Sequence, residues 1–216
     1  RQTLPPAVER FEPVNRDDAA AAGRIVFLSY LDGWPHLYSI SEEGGEPLVL
    51  TQGNYMAEFI SISNDRRYLV FAGNEGTDVN DIDRRHIVRV PVDRAEPIVM
   101  TQGKGVEWTP FVTGDGKYIA YIAATAQRPP LPTVMPASGG KPITLAEDRI
   151  PNDFPTARLV VPKKVTYNAP DGVTVHGQLF EATGGAAKKP AIIYVHGGPP
   201  RQMLLGWHYS DYYSNA

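Results

Sequence analysis

The chain has 216 residues, a net charge of −3 from 21 Lys and Arg against 24 Asp and Glu, and 42% hydrophobic residues. That composition suits one or two folded domains and gives no electrostatic basis for binding nucleic acid or an anionic membrane surface. It has no cysteine, which excludes disulfides, thiolate metal sites and a cysteine nucleophile, and no apolar run approaches the ~18–20 residues that span a bilayer.

The opening stretch RQTLPPAVER carries neither an initiator Met nor an apolar signal core, so the N-terminus reads as cut, which leaves the compartment open and a periplasmic or secreted protein compatible with it. From Gly23 onward the chain reads as strand, turn, strand, turn, strand. Asp32-Gly33 and Gly44-Gly45 supply the turns, and Leu37, Ile40, Leu48 and Leu50 supply apolar side chains.

The pattern then repeats. EPLVLTQG at 46–53 returns as EPIVMTQG at 96–103, and ISNDRRYLVFA at 62–72 returns as VTGDGKYIAYI at 112–122, so Thr51 and Thr101, like Asp65 and Asp115, stand 50 residues apart. A further copy begins at GGKPITLAE, where Pro142 follows Pro97 by 45 residues. A period of ~40–50 residues with about four short antiparallel strands per repeat is the signature of a β-propeller blade. Residues 1–150 are therefore predicted to form a partial propeller of about two and a half blades, fewer than the ~4–8 of a closed ring. No helical period interrupts 23–147.

The repeat breaks at RIPNDFPTARLVVPKK. Pro151, Pro155 and Pro162 predict an extended connector over 151–162. Beyond it, Val165 and Tyr167, then Val173, Val175 and Leu179, alternate around Pro170-Asp171-Gly172 as in a β-hairpin. AIIYV at 191–195 reads as a short strand buried on both faces. Three strands without helices cannot cover their own faces, so 163–216 is expected to be the beginning of a further domain.

The order of blades containing DGWPHLY and GDGKYIAY, then VTYNAPDGVTVHGQLF, then IIYVHGGP, resembles the prolyl oligopeptidase family of serine peptidases. Its dipeptidyl-peptidase-IV and acylaminoacyl-peptidase branches are the nearest in kind. The resemblance covers Gly23 to Ala216. It implies a mostly β chain: C-terminal propeller blades followed by the first strands of an α/β-hydrolase domain, incomplete here.

It also implies a role for His196, Gly197, Gly198 and Pro199. In α/β-hydrolases an HGGG-type loop after an early strand gives one backbone N–H to the oxyanion that forms on the attacked carbonyl. By resemblance Gly198 supplies that N–H, Gly197 permits the turn, and Pro199 stiffens the exit. His196 stands where the dipeptidyl-peptidase-IV branch carries a Tyr, as in acylaminoacyl-peptidase-like members. Arg201 and Gln202 complete an HGGPxxQ pattern that would fix the loop's shape. No Ser lies in a G-x-S-x-G context, because FLSYL, PASGG and HYSDY all fail it, so the Ser-His-Asp triad is expected outside this chain and the chain alone is expected to be inactive.

Peptide is the implied substrate, with no cofactor or metal, and oligomeric state is left open. His36, His86 and His176 are isolated, with no second ligand at metal spacing. Glu42-Glu43 reads as a solvated turn, and NDIDRRH at 80–86 as a solvent-facing insertion. The aromatic stretch 206–216 reads as an acyl-pocket lining or as packing against further helices. The rival readings are a non-enzymatic TolB-like propeller platform and an esterase or degenerate hydrolase of the same architecture.

Overall fold

The computed structural model describes residues 23–74, 82–182, 184–185, 188–198 and 202–207. Within them thirteen strands form four antiparallel sheets. The first sheet holds β1 (Arg24–Ser29), β2 (His36–Ser41) and β3 (Leu48–Val49) in the order β1-β2-β3. The second holds β4 (Ala57–Ile62), β5 (Tyr68–Gly73), β6 (His86–Pro91) and β7 (Ile98–Val99), and the third β8 (Val106–Val112), β9 (Tyr118–Ala124), β10 (Leu131–Pro136) and β11 (Ile143–Thr144), each in sequential order. These three meandering sheets are the propeller blades that the repeat predicts.

The repeat holds down to single hydrogen bonds. Ala57 donates its N–H to Pro35 O at 2.9 Å, and 50 residues on Glu107 donates to Arg85 O at 2.9 Å, so each blade hands a bond back to the one before it. Both four-stranded blades carry a bulge in their first strand, between Glu58 and Ser61 and between Trp108 and Phe111. Each bulge puts a non-glycine residue, Phe59 or Thr109, at positive φ. The turn before β5 and the turn before β9 are likewise built alike. Asp65 Oδ1 accepts from Ser63 Oγ and Arg67 N, and Asp115 Oδ1 accepts from Thr113 Oγ1 and Lys117 N.

Side-chain alternation along each strand divides the core into separate layers. From β5, Leu69 and Phe71 point to the first blade and join Val26, Leu37, Leu50 and Ala57. From the same strand Val70 points the opposite way and joins Ile87, Ile119, Tyr121 and Met135 against the third blade. The middle blade is thus apolar on both faces, which explains why YLVFAG lacks the polar alternation of a surface strand. On the outer face of the third blade Val106, Trp108 and Ala124 are buried, whereas Phe111 and Tyr118 point outward exposed.

Residues 151–162 contain a single 3₁₀ turn, Thr156–Arg158, preceded by another at Glu147–Arg149, so the connector is more compact than the extended segment expected from its prolines. Gln127 Nε2 holds it to the third blade by donating to Leu159 O at 2.9 Å. The expected hairpin is present as β12 (Lys163–Asn168) and β13 (Thr174–Leu179), paired from Lys163–Leu179 to Asn168–Thr174.

The predicted strand at 191–195 is not formed: these residues lie in no sheet, and Ile192 is 96% exposed, Ile193 89% and Val195 83%. A strand buried on both faces needs lateral partners and covering layers. Among the described residues, β12 and β13 pair only with each other and supply neither.

Candidate functional site

His196, Gly197 and Gly198 follow that exposed apolar segment, while Pro199 and Arg201 lie outside the described residues, as do 208–216 and 80–81. His196 Nδ1 lies 3.0 Å from Gly197 O. A carbonyl only accepts, so this bond requires the proton on Nδ1. A trans peptide is planar, with its C=O and N–H on opposite sides. Holding the Gly197 carbonyl toward the imidazole therefore aims the Gly198 N–H away from it. The left-handed backbone falls at Gly198, with φ 74°, one residue later than the turn expected at Gly197. Glycine reaches that conformation without the Cβ clash that costs other residues ~1–2 kcal/mol.

Four residues after Gly198, the chain is bound to the middle blade. Gln202 Oε1 accepts from Arg85 Nη2 at 3.2 Å, while its Nε2 donates to Ile82 O at 3.2 Å and to Asp83 Oδ1 at 3.1 Å. Leu205 N donates to Asp83 O at 2.9 Å, and Arg84 Nη1 donates to Leu205 O at 3.2 Å. Lys164 of β12 pairs with the other Asp83 oxygen at 3.1 Å. Leu204 is buried with Ala72, Val106, Trp108 and Ala124.

The Asp83-Arg84-Arg85-His86 stretch is thus buried, and the expectation of a solvent-facing insertion at 80–86 is corrected for these residues. Arg85 is fully enclosed. Its Nε donates to Glu58 Oε2 at 2.6 Å, its Nη1 to Arg84 O at 2.9 Å, and its Nη2 also meets Met56 Sδ. Such partners are what a guanidinium needs inside a protein, and deleting one member of a buried pair typically costs about 3–5 kcal/mol. The signal for burial was in the repeat: the 50-residue offset lays RRHIVRV on WPHLYSI, so Arg85 occupies the position of Pro35 and His86 that of His36.

His86 and His36 are buried polar links of the blades. His86 Nδ1 meets Glu107 Oε2 at 2.9 Å, and the Thr101 hydroxyl donates to the same oxygen at 3.2 Å while accepting the Ile87 N–H at 2.8 Å. His36 Nδ1 meets Thr51 Oγ1 at 3.2 Å, and its Nε2 meets Asp32 at 3.2 Å. His176 is exposed on β13, and Glu42 and Glu43 are exposed in their turn. Among the described residues no three His, Asp or Glu side chains converge as metal ligands, and no helix is long and apolar enough to cross a membrane.

Between the second and third blades, Thr101, Glu107, Tyr121, Arg128 and Thr144 line a cavity of about 380 Å³ that does not include His196–Gly198. Burial raises the Tyr121 phenol well above its ordinary value of 10.0, the Glu107 carboxylate adds to the rise, and Arg128 opposes it.

The family described as the dipeptidyl peptidase IV N-terminal region matches residues 9–130. Among solved structures, a puromycin hydrolase is 17% identical with a TM-score of 0.62 over 79% of this chain and 26% of its own. A puromycin-hydrolyzing peptidase of Mycobacterium tuberculosis is 16% identical with a TM-score of 0.60, over 78% of this chain and 27% of its own. Dipeptidyl peptidase 4 of Porphyromonas gingivalis is 15% identical with a TM-score of 0.56, over 73% and 22%. At these identities the likeness is one of fold, and the chain spans about a quarter of the length of these peptidases.

Proposed function

Because the chain belongs to the dipeptidyl peptidase IV N-terminal region family, we propose that the polypeptide carrying it is a serine peptidase of the prolyl oligopeptidase type that hydrolyses short peptides. The observation that supports this most is the order of parts along one chain: family-matched propeller blades through residue 130, the hairpin at 163–179, then Tyr194-Val195-His196-Gly197-Gly198-Pro199. In this reading 1–150 is propeller, 151–162 the linker, and 163–216 the entry into an α/β-hydrolase domain.

The mechanism follows from what an acyl transfer needs. A serine supplied by the remainder of the hydrolase domain attacks the scissile carbonyl, a histidine takes the serine proton, and a carboxylate orients that histidine. Negative charge then develops on the carbonyl oxygen. The Gly198 N–H, in the peptide plane held by the bond between His196 and the Gly197 carbonyl, meets that charge. Removing one such donor typically costs ~10²–10³ in rate. The imidazole of His196 is thereby a positioning group for the peptide plane. Propeller blades beside the site would limit access to short, unfolded substrates.

Hydrolysis of a peptide amide series by the full-length polypeptide tests this. Turnover of short peptide amides that falls away for folded proteins is expected. Turnover of simple esters without any amide cleavage would point to an esterase, and no turnover of either would favour the interaction-platform reading.

A further inference from the structure

We propose that the cavity between the second and third blades is a binding site for a small zwitterionic peptide of dipeptide size, its ammonium facing Glu107 and its carboxylate facing Arg128. The cavity contains none of His196–Gly198, so the inference stands apart from the reading of that loop.

The repeat supplies the comparison that singles this cavity out. In the second blade Phe71 pairs with Val88 and Val88 with Val99, and this apolar row packs against the first blade. In the third blade the same row reads Tyr121, Thr133 and Thr144, paired in the same order. Each position has gained a hydroxyl with little change of shape, and Glu107 stands where the second blade has the buried Ala57. The adjacent row shows that the blade itself does not demand polarity. There Leu69 and Val90 are replaced by Ile119 and Met135, which stay buried and apolar. Of these two rows, the one that turned polar is the one that lines the cavity.

Buried hydroxyls and charges need partners, and the protein supplies only some of them. Tyr121 is 4% exposed, and its hydroxyl has no hydrogen-bond partner among the described residues. Burial and the Glu107 carboxylate hold that phenol protonated, ready to donate to a carbonyl. Thr133 Oγ1 makes only a long bond of 3.4 Å to Leu131 O. The bonds of Glu107 to His86 Nδ1 and the Thr101 hydroxyl both fall on Oε2, which leaves Oε1 to accept from a ligand. Arg128 Nη1 donates to Thr144 Oγ1 at 3.0 Å, and the carboxylate it approaches, Glu147, is 4.0 Å away.

The order of the sheet arranges these groups. Glu107 stands on β8, Tyr121 on β9, Thr133 on β10, and Arg128 rests on β11 through Thr144. A carboxylate and a guanidinium, unpaired with each other, thus flank a row of hydroxyls. That pattern matches a ligand with an ammonium, which only donates, at one end and a carboxylate, which a guanidinium can bind bidentately, at the other. A peptide bond between them offers a C=O and an N–H to the hydroxyls. The volume of about 380 Å³ has room for at least about a dozen waters and lies in the range of small-ligand sites. Recognition of both free ends restricts the ligand to short peptides.

The test titrates glycylglycine into the full-length polypeptide, followed by saturation-transfer NMR, beside its N-acetylated amide, which carries neither charge. Saturable binding of glycylglycine is expected, with the uncharged analogue at least about 10-fold weaker. The variant Tyr121→Phe/Thr133→Val/Thr144→Val installs the side chains that the second blade already packs in the equivalent places, so the fold should accept it while binding weakens at least about 10-fold. Arg128→Gln, at a partly exposed position, should weaken glycylglycine about 10-fold and leave glycylglycinamide, which lacks the carboxylate, unchanged. No saturable binding to the wild type by about 10 mM overturns the proposal, because the cavity then holds water alone. Equal binding of the uncharged analogue overturns it, as does binding that neither variant alters. Binding as expected without any peptide hydrolysis would sink the oxyanion reading and leave this site standing, and hydrolysis without such binding would do the reverse.

Discussion

The Thr101 hydroxyl accepts the backbone N–H of Ile87 at 2.8 Å, across a separation of fourteen residues, and both groups are shut away from water. Fifty residues earlier Thr51 does the same for Leu37 at 2.9 Å. In the third blade the equivalent pair is Ala146 and Pro132. The backbone link there survives as Leu145 N to Pro132 O, alongside Leu50 N to Leu37 O and Met100 N to Ile87 O. Proline has no N–H to satisfy, so the hydroxyl has no task, and both disappear together. Thr101→Val should leave the Ile87 N–H unsatisfied at a cost of about 1–3 kcal/mol, while Thr101→Ser keeps most of the bond. Denaturant unfolding followed by tryptophan fluorescence distinguishes them. Equal stability of the two variants would contradict the account.

Arg66 sits at φ 57° in the turn where its repeat counterpart is Gly116, at φ 71°. The N–H of each closes the same bond, to Ser63 O and to Thr113 O respectively, both at 2.8 Å. The left-handed backbone costs a side-chain-bearing residue ~1–2 kcal/mol, partly offset by the extra unfolded-state entropy of glycine. Arg66→Gly is expected to raise stability by about 0.5–1 kcal/mol, and Gly116→Arg to lower it by a similar amount. Thermal unfolding of the pair checks both signs.

Stability should fall in alkali. Tyr121 is raised far above 10.0 by burial, and Tyr38 and Tyr68 are raised by the same cause. The folded state thus holds these protons more tightly than the unfolded chain. Their contribution is complete below the ordinary phenol value and is lost as pH rises from there through the folded values. Tm measured from about pH 8 to 11 should decline above about pH 10, and Tyr121→Phe should flatten that decline without moving Tm at pH 8. A decline that is unchanged in Tyr121→Phe would show that Tyr121 is not its source.

Within the proposed loop, Gly198→Ala and His196→Ala separate two parts of the mechanism. An alanine at φ 74° is strained, and relieving the strain swings the peptide carrying the N–H, so kcat for peptide hydrolysis should drop ~10²–10³-fold. His196→Ala keeps the N–H but releases the Gly197 carbonyl, so a smaller fall is expected, of about 10-fold. Steady-state kinetics on one peptide amide measures both. A larger effect at His196 than at Gly198 would mean that the imidazole itself contacts the substrate.

What could be read from the amino-acid sequence was what is periodic. Thr51 and Thr101, Asp65 and Asp115, and the apolar runs YLVFAG and YIAYIA announce the blades because each repeat solves the same burial problem with the same residue types. The hairpin at 163–179 was legible from alternation around Pro170-Asp171-Gly172. The burial of Asp83, Arg84 and Arg85 was not, because charge in a short polar stretch ordinarily means solvent, and their partners Glu58 and Gln202 are 27 and 117 residues from Arg85. AIIYV failed as a strand for the converse reason: apolarity states that a segment wants cover, and pairing depends on neighbours that its own residues do not specify.

If the loop at His196–Gly198 serves a serine nucleophile, the full-length polypeptide should react covalently with a serine-directed probe. The full-length polypeptide is incubated with a fluorophosphonate probe and its intact mass recorded. One equivalent of probe is expected, on a serine outside residues 1–216, with labelling slowed in Gly198→Ala because the phosphonyl oxygen uses the same N–H as the oxyanion. A polypeptide that folds with its propeller intact yet takes up no probe would contradict that role of the loop.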